Sequence, residues 1–514
     1  MSVAKRFLIL ILALLMLITP MLVSCNKDDD TDDEEPNPED DFSGSIAGGG
    51  DGGASDSSQA VPPPIAEGDP NAVIEISTPD QLKAIAQNGT YVLVNDIDMT
   101  GVDFSPLGNY QYPFKGTLKS SDGNSFTIKN LKVSVSKAAL GPTATYTYVY
   151  AGLFGATNGA TISNVNFSEA DISATSSDEY SLVLSGILAG YMINTSVNNC
   201  NVGGKVYSSS KLFNAYAGAF SGILEGGSLE NSGSDSIIET ADSKNRAVSG
   251  GLAGLSLLSP SVKHCVAKGT VKAVSSYGLS YAGGLVGNTR QAIFTACRSE
   301  ADVYAETVEF NSKEPNVGAA YAGGIAAVTS AVNETAKASF TRCYALDNTV
   351  TAVGNECAAY AGGIAAYIAF TDLTHCYSLA NVTLKGVSRI SYASAGLGLI
   401  STTAGDSSAS DYVPDFNVKG CFAYGNVTVE HSNIPHVLIG TLYAHITSEG
   451  SKASIKNSYY NQSAVYSLNG DTNPITLSKN GTARLEGYFG YSNIGDFGWD
   501  PSEWEEVDGY LIAK

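Results

Sequence analysis

Basic residues are scarce in this chain of 514 residues. It contains 29 Lys and Arg against 51 Asp and Glu, which gives a formal net charge of −22 at pH 7. Nonspecific binding to nucleic acid or to anionic lipid depends on clusters of Lys and Arg that neutralise phosphate groups. The composition therefore excludes nonspecific nucleic-acid binders, and we expect no nucleic-acid partner.

Sequence patterns that hold metal ions are also missing. The chain has neither a Cys-x-x-Cys nor a His-x-x-x-His spacing. His264 and His375 each precede a repeated cysteine, but they lie three repeats apart, which is too far to share one zinc ion. Asp96 and Asp98 could bind calcium or act as acid and base, yet this arrangement is more typical of a solvated turn. We expect no metal site and no cofactor.

Clusters of acidic residues for catalysis are equally hard to find. Carbohydrate-cleaving β-helices carry Asp or Glu clusters, or a Lys or Arg base, on successive rungs of one face. The repeated words of this chain contain almost no acids, and Arg298 and Arg342 flank repeated cysteines without acidic companions. We therefore predict no catalytic residues and a protein that is not an enzyme, and we keep a polysaccharide lyase or glycoside hydrolase as the alternative.

A long apolar run occurs only at the start of the chain. Lys5 and Arg6 precede an apolar run from Phe7 to Leu17, which is typical of an export signal and too short to span a bilayer. The following residues, Leu22-Val23-Ser24-Cys25, resemble the lipobox of bacterial lipoproteins. The resemblance implies a signal peptide over residues 1–24 and lipidation of Cys25, with palmitate among the acyl groups. An unpaired thiol at Cys25 is the alternative.

Residues 25–70 are rich in Asp, Glu, Gly, Ser and Pro and hold few large apolar residues. Such a composition predicts a disordered tether. Its first part, Asn26 to Glu35, resembles the acidic export tag of surface lipoproteins in some Gram-negative bacteria, although a plain solvated spacer is also possible. The resemblance implies a lipid-anchored protein of the outer membrane that is exposed at the cell surface.

What the chain does contain is a repeat. Between residues 128 and 458 one four-residue word recurs ten times: apolar, any residue, turn-former, small or apolar. Most intervals are 32–37 residues, and two longer ones of 46 and 45 contain inserts near residues 312–318 and 404–416. Periods of this size indicate stacked supersecondary units. The last residues of the ten words should form one inward-facing ladder: Leu131, Val165, Cys200, Ser232, Cys265, Cys297, Cys343, Cys376, Cys421 and Ser458.

The residue before each of these should turn a tight corner. Half of these residues are Asn and one is Gly, and both types adopt left-handed backbone angles at modest cost. The ten predicted corners are Asn130, Asn164, Asn199, Asn231, His264, Ala296, Arg342, His375, Gly420 and Asn457.

A second word precedes most corners, as in Tyr281-Ala282-Gly283-Gly284-Leu285-Val286-Gly287 and Tyr321-Ala322-Gly323-Gly324-Ile325. It resembles the GLUG motif of bacterial surface proteins. Two short strand words per period, with no 3.6-residue apolar pattern between them, predict parallel strands rather than helices. The predicted fold is all-β: a right-handed parallel β-helix, or β-solenoid, of about ten rungs over residues 132–458.

Caps are expected at both ends. In residues 71–131, Thr78-Pro79-Asp80-Gln81 predicts a capped helix start, and Tyr91 to Met99 predicts a strand. The order of these elements is similar to the start of GLUG-bearing and pectate-lyase-like β-helices. Residues 459–514, with Trp499 and Trp504, should close the far end. The repeated cysteines should be buried, reduced thiols, because stacked rungs hold them farther apart than a disulfide prefers.

Tyrosine is abundant, and six tyrosines precede the glycine word at matched positions: Tyr150, Tyr216, Tyr281, Tyr321, Tyr360 and Tyr392. If exposed, the column could stack on sugars or on a protein; if buried, it would be core. Strand alternation favours burial, and a bend at the paired glycines would reverse that inference. The predicted function is adhesion, by binding an extracellular host or matrix glycan or protein, with a purely structural envelope role as a further alternative.

Overall fold

The computed structural model describes Pro62 and residues 64–137, 147–178, 181–308, 318–330, 337–386, 391–400, 417–432, 437–446, 454–472, 477–478, 482–484 and 491–514. The predictions for the signal peptide, Cys25, most of the tether and the inserts near residues 312–318 and 404–416 lie outside these residues, apart from Gly318. Within the described residues, nearly every element is a strand of a parallel sheet.

Each rung passes in turn through four parallel sheets, which we call the first to the fourth sheet. The first sheet contains the strands Val73–Ile76, Thr90–Leu93, Thr117–Ser120, Thr161–Ser163, Ser196–Asn198, Ser228–Glu230, Ser261–Lys263, Ile293–Thr295, Ala338–Thr341, Thr371–Thr374, Asn417–Lys419 and Ser454–Lys456. The second sheet contains Ile97–Asp98, Phe126–Lys129, Lys132–Lys137, Val165–Ser176, Asn201–Ser210, Gly233–Ser243, Val266–Ser275, Arg298–Thr307, Tyr344–Ala345, Thr349–Gly354, Tyr377–Ser378, Asn381–Gly386, Phe422–Ala423, Val427–His431, Tyr459–Asn461, Tyr466–Leu468 and Thr482–Arg484.

The third sheet contains Thr147–Ala151, Ser181–Ser185, Asn214–Gly218, Arg246–Gly250, Leu279–Gly283, Ala319–Gly323, Ala358–Gly362, Ser391–Ser394, Val437–Gly440 and Leu477–Ser478. The fourth contains Phe154–Asn158, Ala189–Ile193, Ser221–Glu225, Ala253–Leu257, Val286–Arg290, Ala326–Ser330, Ala365–Ile368, Leu397–Ile400 and Tyr443–Ile446. Strands of successive rungs pair in parallel in all four sheets. The predicted all-β parallel solenoid is confirmed.

All ten predicted corner residues have left-handed backbone angles, with φ between 48° and 62°. The corner prediction is therefore confirmed, including the four positions where neither Asn nor Gly stands. These four residues adopt angles that cost such residue types about 1–2 kcal/mol each: His264, Ala296, Arg342 and His375. The stacked rungs on either side must offset this cost, because the corner fixes where each strand of the second sheet begins.

The predicted ladder is correct for nine of its ten residues. Strand pairing aligns the residues that directly follow the ladder positions one rung after another: Asn201, Gly233, Val266, Arg298, Tyr344, Tyr377, Phe422 and Tyr459. The pairing of Phe167 with Val202 extends this register back to Val165. All nine ladder residues from Val165 to Ser458 are buried.

The placement of Leu131 in that ladder is wrong. In the first sheet, Ile162 pairs with Leu118 and not with Ile128. Ile128 pairs instead with Phe167 in the second sheet. The reason is the loop at residues 121–125, which separates two strands where later rungs have a single corner residue. This loop shifts the first copy of the word into the next sheet.

The start of the cap follows the prediction closely. The helix Pro79–Lys83 has Thr78 as its N-cap, and the Thr78 hydroxyl accepts a hydrogen bond from the Gln81 backbone N–H at 3.3 Å. The Gln81 side chain accepts one in return from the Thr78 N–H at 3.1 Å, which completes a capping box. Leu82 and Ile85 are buried. The helix thereby covers the rungs that begin the first sheet.

The predicted tether extends too far into the folded unit. The backbone N–H of Gln87 donates to the Ala66 carbonyl at 2.8 Å, and that of Asn88 donates to the Glu67 carbonyl at 2.9 Å. The Asn109 side chain also donates to the Pro62 carbonyl at 2.8 Å. Residues 64–70 therefore belong to the cap, because they satisfy backbone groups that would otherwise lack partners.

The cysteines behave as the repeat predicts. The six cysteines of the ladder are buried thiols that form no disulfide. In the ladder, the Cys265 Sγ contacts the carbonyl oxygens of Lys263 at 3.2 Å and Leu229 at 3.3 Å. Burial raises the pKa of the Cys200 thiol to about 11. Thiolate, the form that reacts, is therefore scarce at Cys200 at neutral pH, and this buried thiol acts as a small core residue.

Candidate functional site

The six tyrosines considered as a binding face are buried, with 3% or less of each exposed. The chain does bend at the glycine word, a possibility that simple strand alternation does not take into account. The third-sheet strand ends at Gly283, and the next strand, in the fourth sheet, begins at Val286. A Cβ atom on Gly283 would lie 1.9 Å from the Val286 carbonyl oxygen, so the turn needs glycine there. The bend folds the fourth sheet back against the tyrosine side of the third.

The tyrosines form a second core between the third and fourth sheets. Tyr321 stacks on Tyr360 with centroids 4.4 Å apart, and it meets the ring of Tyr367 in the fourth sheet edge-on at 6.2 Å. Tyr392 stacks on His445 of the fourth sheet at 5.4 Å. The hypothesis of an exposed tyrosine face is therefore wrong, because its rings are already stacked inside the protein.

Asp96 and Asp98 brace the cap. The Asp96 carboxylate pairs with Lys129 Nζ at 2.6 Å and accepts the Thr127 N–H at 3.0 Å. Asp98 accepts hydrogen bonds from the Thr100 hydroxyl at 2.6 Å and from the Asn130 amide at 2.8 Å. Across the described ranges, no group of three or more His, Cys, Asp or Glu is arranged to hold a metal ion.

These hydrogen bonds predict a specific acid sensitivity. The bonds from Thr100 and Asn130 lower the pKa of Asp98 to about 2 from an ordinary 3.8. A depressed pKa contributes stability that is present above 3.8 and is lost as pH falls toward 2. Asp98→Asn should therefore flatten the decline of the thermal midpoint across this window, measured by circular dichroism at stepped pH. An equal slope in both proteins would contradict this assignment.

An open groove of about 730 Å³ lies on the outer face of the second sheet. Its lining crosses successive rungs, and eight of its thirteen residues are polar or charged: Phe167, Asn201, Val202, Gly203, Asn231, Ser232, Gly233, Ser234, Asp235, His264, Val266, Lys268 and Arg298. The floor is low where glycine replaces a side chain, as at Gly203 and Gly233. Corner residues form one wall, and Lys268 and Arg298 rise at one end.

Two asparagines of the groove lining, Asn201 and Asn231, form hydrogen bonds between rungs. The Asn231 amide donates to the Asn198 side-chain oxygen at 3.0 Å, and Asn201 donates its backbone N–H to the Asn166 side-chain oxygen at 3.0 Å. Asn199 donates in the same way to Asn164 at 2.6 Å. These bonds fix exposed amides in one orientation, so a ligand would lose little of its binding free energy to ordering them.

The basic end of the groove is organised around one carboxylate. Glu300 contacts Lys268 Nζ at 2.8 Å and Arg298 Nε at 2.7 Å. Partial burial acts to raise the pKa of the Glu300 carboxyl, but the hydrogen bonds from Lys268 and Arg298 outweigh this and lower it. Asp235, Lys268 and Glu300 stand on successive rungs in one column. The expectation that Arg298 lacks an acidic companion is therefore wrong.

The residues at the end of the chain do not pack as the sequence predicts. The C-terminal segment, residues 491–514, contains the 3₁₀ helices Tyr491–Phe497 and Pro501–Glu503 and the hairpin Trp504–Val507 with Tyr510–Ala513. It lies against the outer face of the second sheet, where Trp499 donates its indole N–H to the Gly420 carbonyl at 2.7 Å.

An aromatic column of the second sheet forms the bed for this C-terminal segment. Trp499, Trp504 and Leu511 are buried against Tyr344, Tyr377, Phe422 and Tyr459. Arg342 forms an ion pair with Glu503, so this arginine also has an acidic companion. The column is the direct continuation of the groove residues, since Arg298 pairs with Tyr344. The segment therefore fills the same face that stays open over the earlier rungs.

The sequence predicted the corners beside this groove but not the groove. Its lining comes from positions that each look ordinary in one repeat, and only stacking brings them together. The usable signal was the loss of aromatic residues: the column that reads Tyr344, Tyr377 and Phe422 in later rungs reads Asn201, Gly233 and Val266 in earlier ones. The aromatic half of this face is covered by the C-terminal segment, and the earlier half is the groove.

Comparisons with known proteins give limited guidance. No family model and no curated protein matches the chain, so the resemblance to the GLUG motif gains no support from them. A crystal structure of a Bacteroides ovatus protein, provisionally named as an immunoglobulin A1 protease, is 18% identical and covers 89% of this chain and 99% of its own, with a TM-score of 0.30. A structure named IgA1 protease is 13% identical and covers 86% of this chain, with a TM-score of 0.35; this chain spans about a quarter of it.

These neighbours bear on one earlier expectation. Both are described as proteases, which contradicts the prediction that this protein is not an enzyme, and we do not retain that prediction. Across the residues that the structure covers, no helix has the length and apolarity needed to cross a bilayer.

Proposed function

We propose that the protein is a surface lipoprotein that binds a glycan in the groove on the second sheet. The observation that carries this proposal is the pair of groove asparagines, Asn201 and Asn231, which bonds between rungs hold in place before any ligand arrives. Amide, carboxylate and basic side chains can each bond to sugar hydroxyls, and all three kinds line this groove. A rigid polar surface suits a ligand that is itself rich in hydroxyl groups.

A polypeptide ligand fits the groove less well. Extended peptides bind sheets mainly by adding a strand to a free edge. Here the floor strands already pair with both neighbours, as Gly233–Ser243 does with Asn201–Ser210 and Val266–Ser275. Their backbone groups are therefore used, and the groove lining offers few apolar side chains to anchor a peptide. Side-chain hydrogen bonding to a glycan is the mode that remains.

Anchoring at the outer membrane completes the proposal. The lipobox ending at Cys25 and the acidic stretch after it support attachment through a lipid and display at the cell surface. The tether would hold the solenoid away from the bilayer, where the groove can meet an extracellular glycan. Display at the cell surface would account for the presence of both an export signal and a binding groove in one chain.

The test compares two asparagines in matched settings. Asn201 donates its backbone and side-chain N–H groups to Asn166, and Asn426 does the same to Asn381, outside the groove lining. The wild-type protein is first screened on an array of immobilised oligosaccharides, and the tightest ligand is then titrated by calorimetry. Asn201→Ala should weaken binding about five- to tenfold, because a lost net hydrogen bond costs about 1 kcal/mol.

Asn426→Ala should leave that affinity unchanged, since it removes the same kind of bond between rungs elsewhere on the sheet. Two results would overturn the proposal. One is an array on which the wild-type protein binds no glycan. The other is equal loss of affinity in both variants, which would point to a change in the fold.

A further inference from the structure

The groove is chemically uneven along the solenoid. At one end, Asn201 and Asn231 present neutral amides, and Asp235 adds a single carboxylate. At the other end, His264, Lys268 and Arg298 bring basic groups together on two successive rungs. This clustering is unusual for a protein with a net charge of −22. A ligand lying along the groove would therefore meet amides and one carboxylate, and then a basic region.

The basic end is also where the groove stops. Tyr344 follows Arg298 on the next rung, and it lies 1% exposed beneath the C-terminal segment. The backbone N–H of Ala513 contacts the Tyr344 hydroxyl at 3.3 Å, and Tyr377 donates its hydroxyl to the Leu511 carbonyl at 2.5 Å. A glycan chain in the groove cannot continue past Arg298 on this face. Its terminal sugar would lie beside Lys268 and Arg298.

Charge accounting favours an anionic group at this position. Lys268 and Arg298 share the single carboxylate of Glu300, which leaves one positive charge uncompensated within the trio. Asp235, one rung before Lys268, and Lys268 itself are both exposed, so water screens these two charges more than that of the partly buried Arg298. Arg298 bonds to Glu300 through its Nε and also to the Tyr344 hydroxyl, and the remaining donors of its planar guanidinium group suit carboxylate or sulfate oxygens.

We infer that the groove binds a glycan whose terminal sugar carries a carboxylate or sulfate group, held by Lys268 and Arg298 where the C-terminal segment closes the groove. This inference rests on the proposed function and adds the class of glycan. Carboxylate and sulfate share the recognition chemistry, and they are separated by the choice of probe.

The probes are lactose, 3′-sialyllactose and 3′-sulfolactose, titrated by calorimetry in low-salt and high-salt buffer. The wild-type protein should bind at least one of the two anionic sugars about tenfold or more tightly than lactose, with the preference reduced by salt. Whichever anionic sugar binds more tightly identifies the group. Arg298→Gln should weaken binding of the anionic sugar more than binding of lactose, so that the preference is lost.

Glu300→Gln provides the discriminating variant. Removal of its carboxylate leaves both cations uncompensated, so affinity for the anionic sugar should increase. Lys272→Gln is the matched control, because Lys272 pairs with Glu239 at 2.9 Å on the same strand as Lys268 but does not line the groove. Its affinities should equal those of the wild type. Thermal midpoints of all variants show whether they are folded.

Three outcomes would overturn the inference. Equal affinity of the wild-type protein for lactose and both anionic sugars would refute anion recognition and leave the proposed glycan function standing. Loss of anion binding in both Arg298→Gln and Glu300→Gln would assign the trio a purely structural role. Failure of every glycan on the array would refute the proposed function itself, and the inference with it.

Discussion

Leu373→Asp is expected to unfold the solenoid at temperatures where the wild-type protein remains folded. Leu373 is 1% exposed and lies in the core between Phe340 and Val418 of the adjacent rungs. An unpaired charge buried there costs several kcal/mol, against a total stability of about 5–15 kcal/mol for a typical domain. Because each rung is stabilised by its neighbours, the loss should spread and the transition should stay cooperative.

The measurement is the thermal midpoint by circular dichroism. Thr374→Asp is the control, since Thr374 is the next residue of the same strand, points to the other face and is only half-buried. It should shift the midpoint by no more than a few degrees. A midpoint for Leu373→Asp equal to that of the control would mean that the first-sheet column does not face the core.

Cys25→Ala is expected to move the whole protein from the membrane fraction to the soluble fraction. The proposed anchor is the lipid on this residue, and the apolar run from Phe7 to Leu17 is too short to replace it as a membrane span. Immunoblotting of fractionated cells measures the redistribution. If the variant stays with the membrane as fully as the wild type, lipidation at Cys25 is not what holds the protein there.

Neutralising Asp28, Asp29, Asp30, Asp32 and Asp33 together separates anchoring from display. This variant should remain in the membrane fraction but become resistant to protease added to intact cells, if the acidic stretch directs the protein outward. The unmodified protein should lose its solenoid under the same treatment, because an acidic, Gly- and Pro-rich tether is open to cleavage. Protection of the unmodified protein would rule out surface display.

Local rules carried the sequence-based prediction far. The left-handed corners at Ala296 and His375 were predicted from their position in the repeated word alone, although neither residue type favours that backbone angle. The capping box at Thr78 and Gln81 was predicted from the four residues Thr78-Pro79-Asp80-Gln81. The prediction failed at Leu131, because the loop at residues 121–125 changes the register without changing the word. A repeat word identifies a local conformation, and strand pairing decides which sheet it joins.

Contacts between distant parts of the chain account for the other misses. The sequence left open whether the tyrosine column is buried or exposed, because a bend at Gly283 decides whether the strand alternation continues past it. The position of Trp499 depends on a contact with Gly420, 79 residues earlier, and no local signal encodes such a contact. The groove lies on the same face of the second sheet as this C-terminal segment, on the rungs before Tyr344. None of these features can be predicted from the sequence of one repeat, because each depends on contacts with other parts of the chain.

The most direct test of the proposed function is a crystal structure of the protein bound to the oligosaccharide that binds it most tightly. We predict sugar density along the outer face of the second sheet, from Asn201 to Arg298, with any carboxylate or sulfate beside Lys268 and Arg298. Three rung steps of about 4.8 Å give this stretch a length of about 14 Å. Sugar bound elsewhere, for example on the exposed rings of Tyr110 and Tyr112, with the groove empty, would contradict the account.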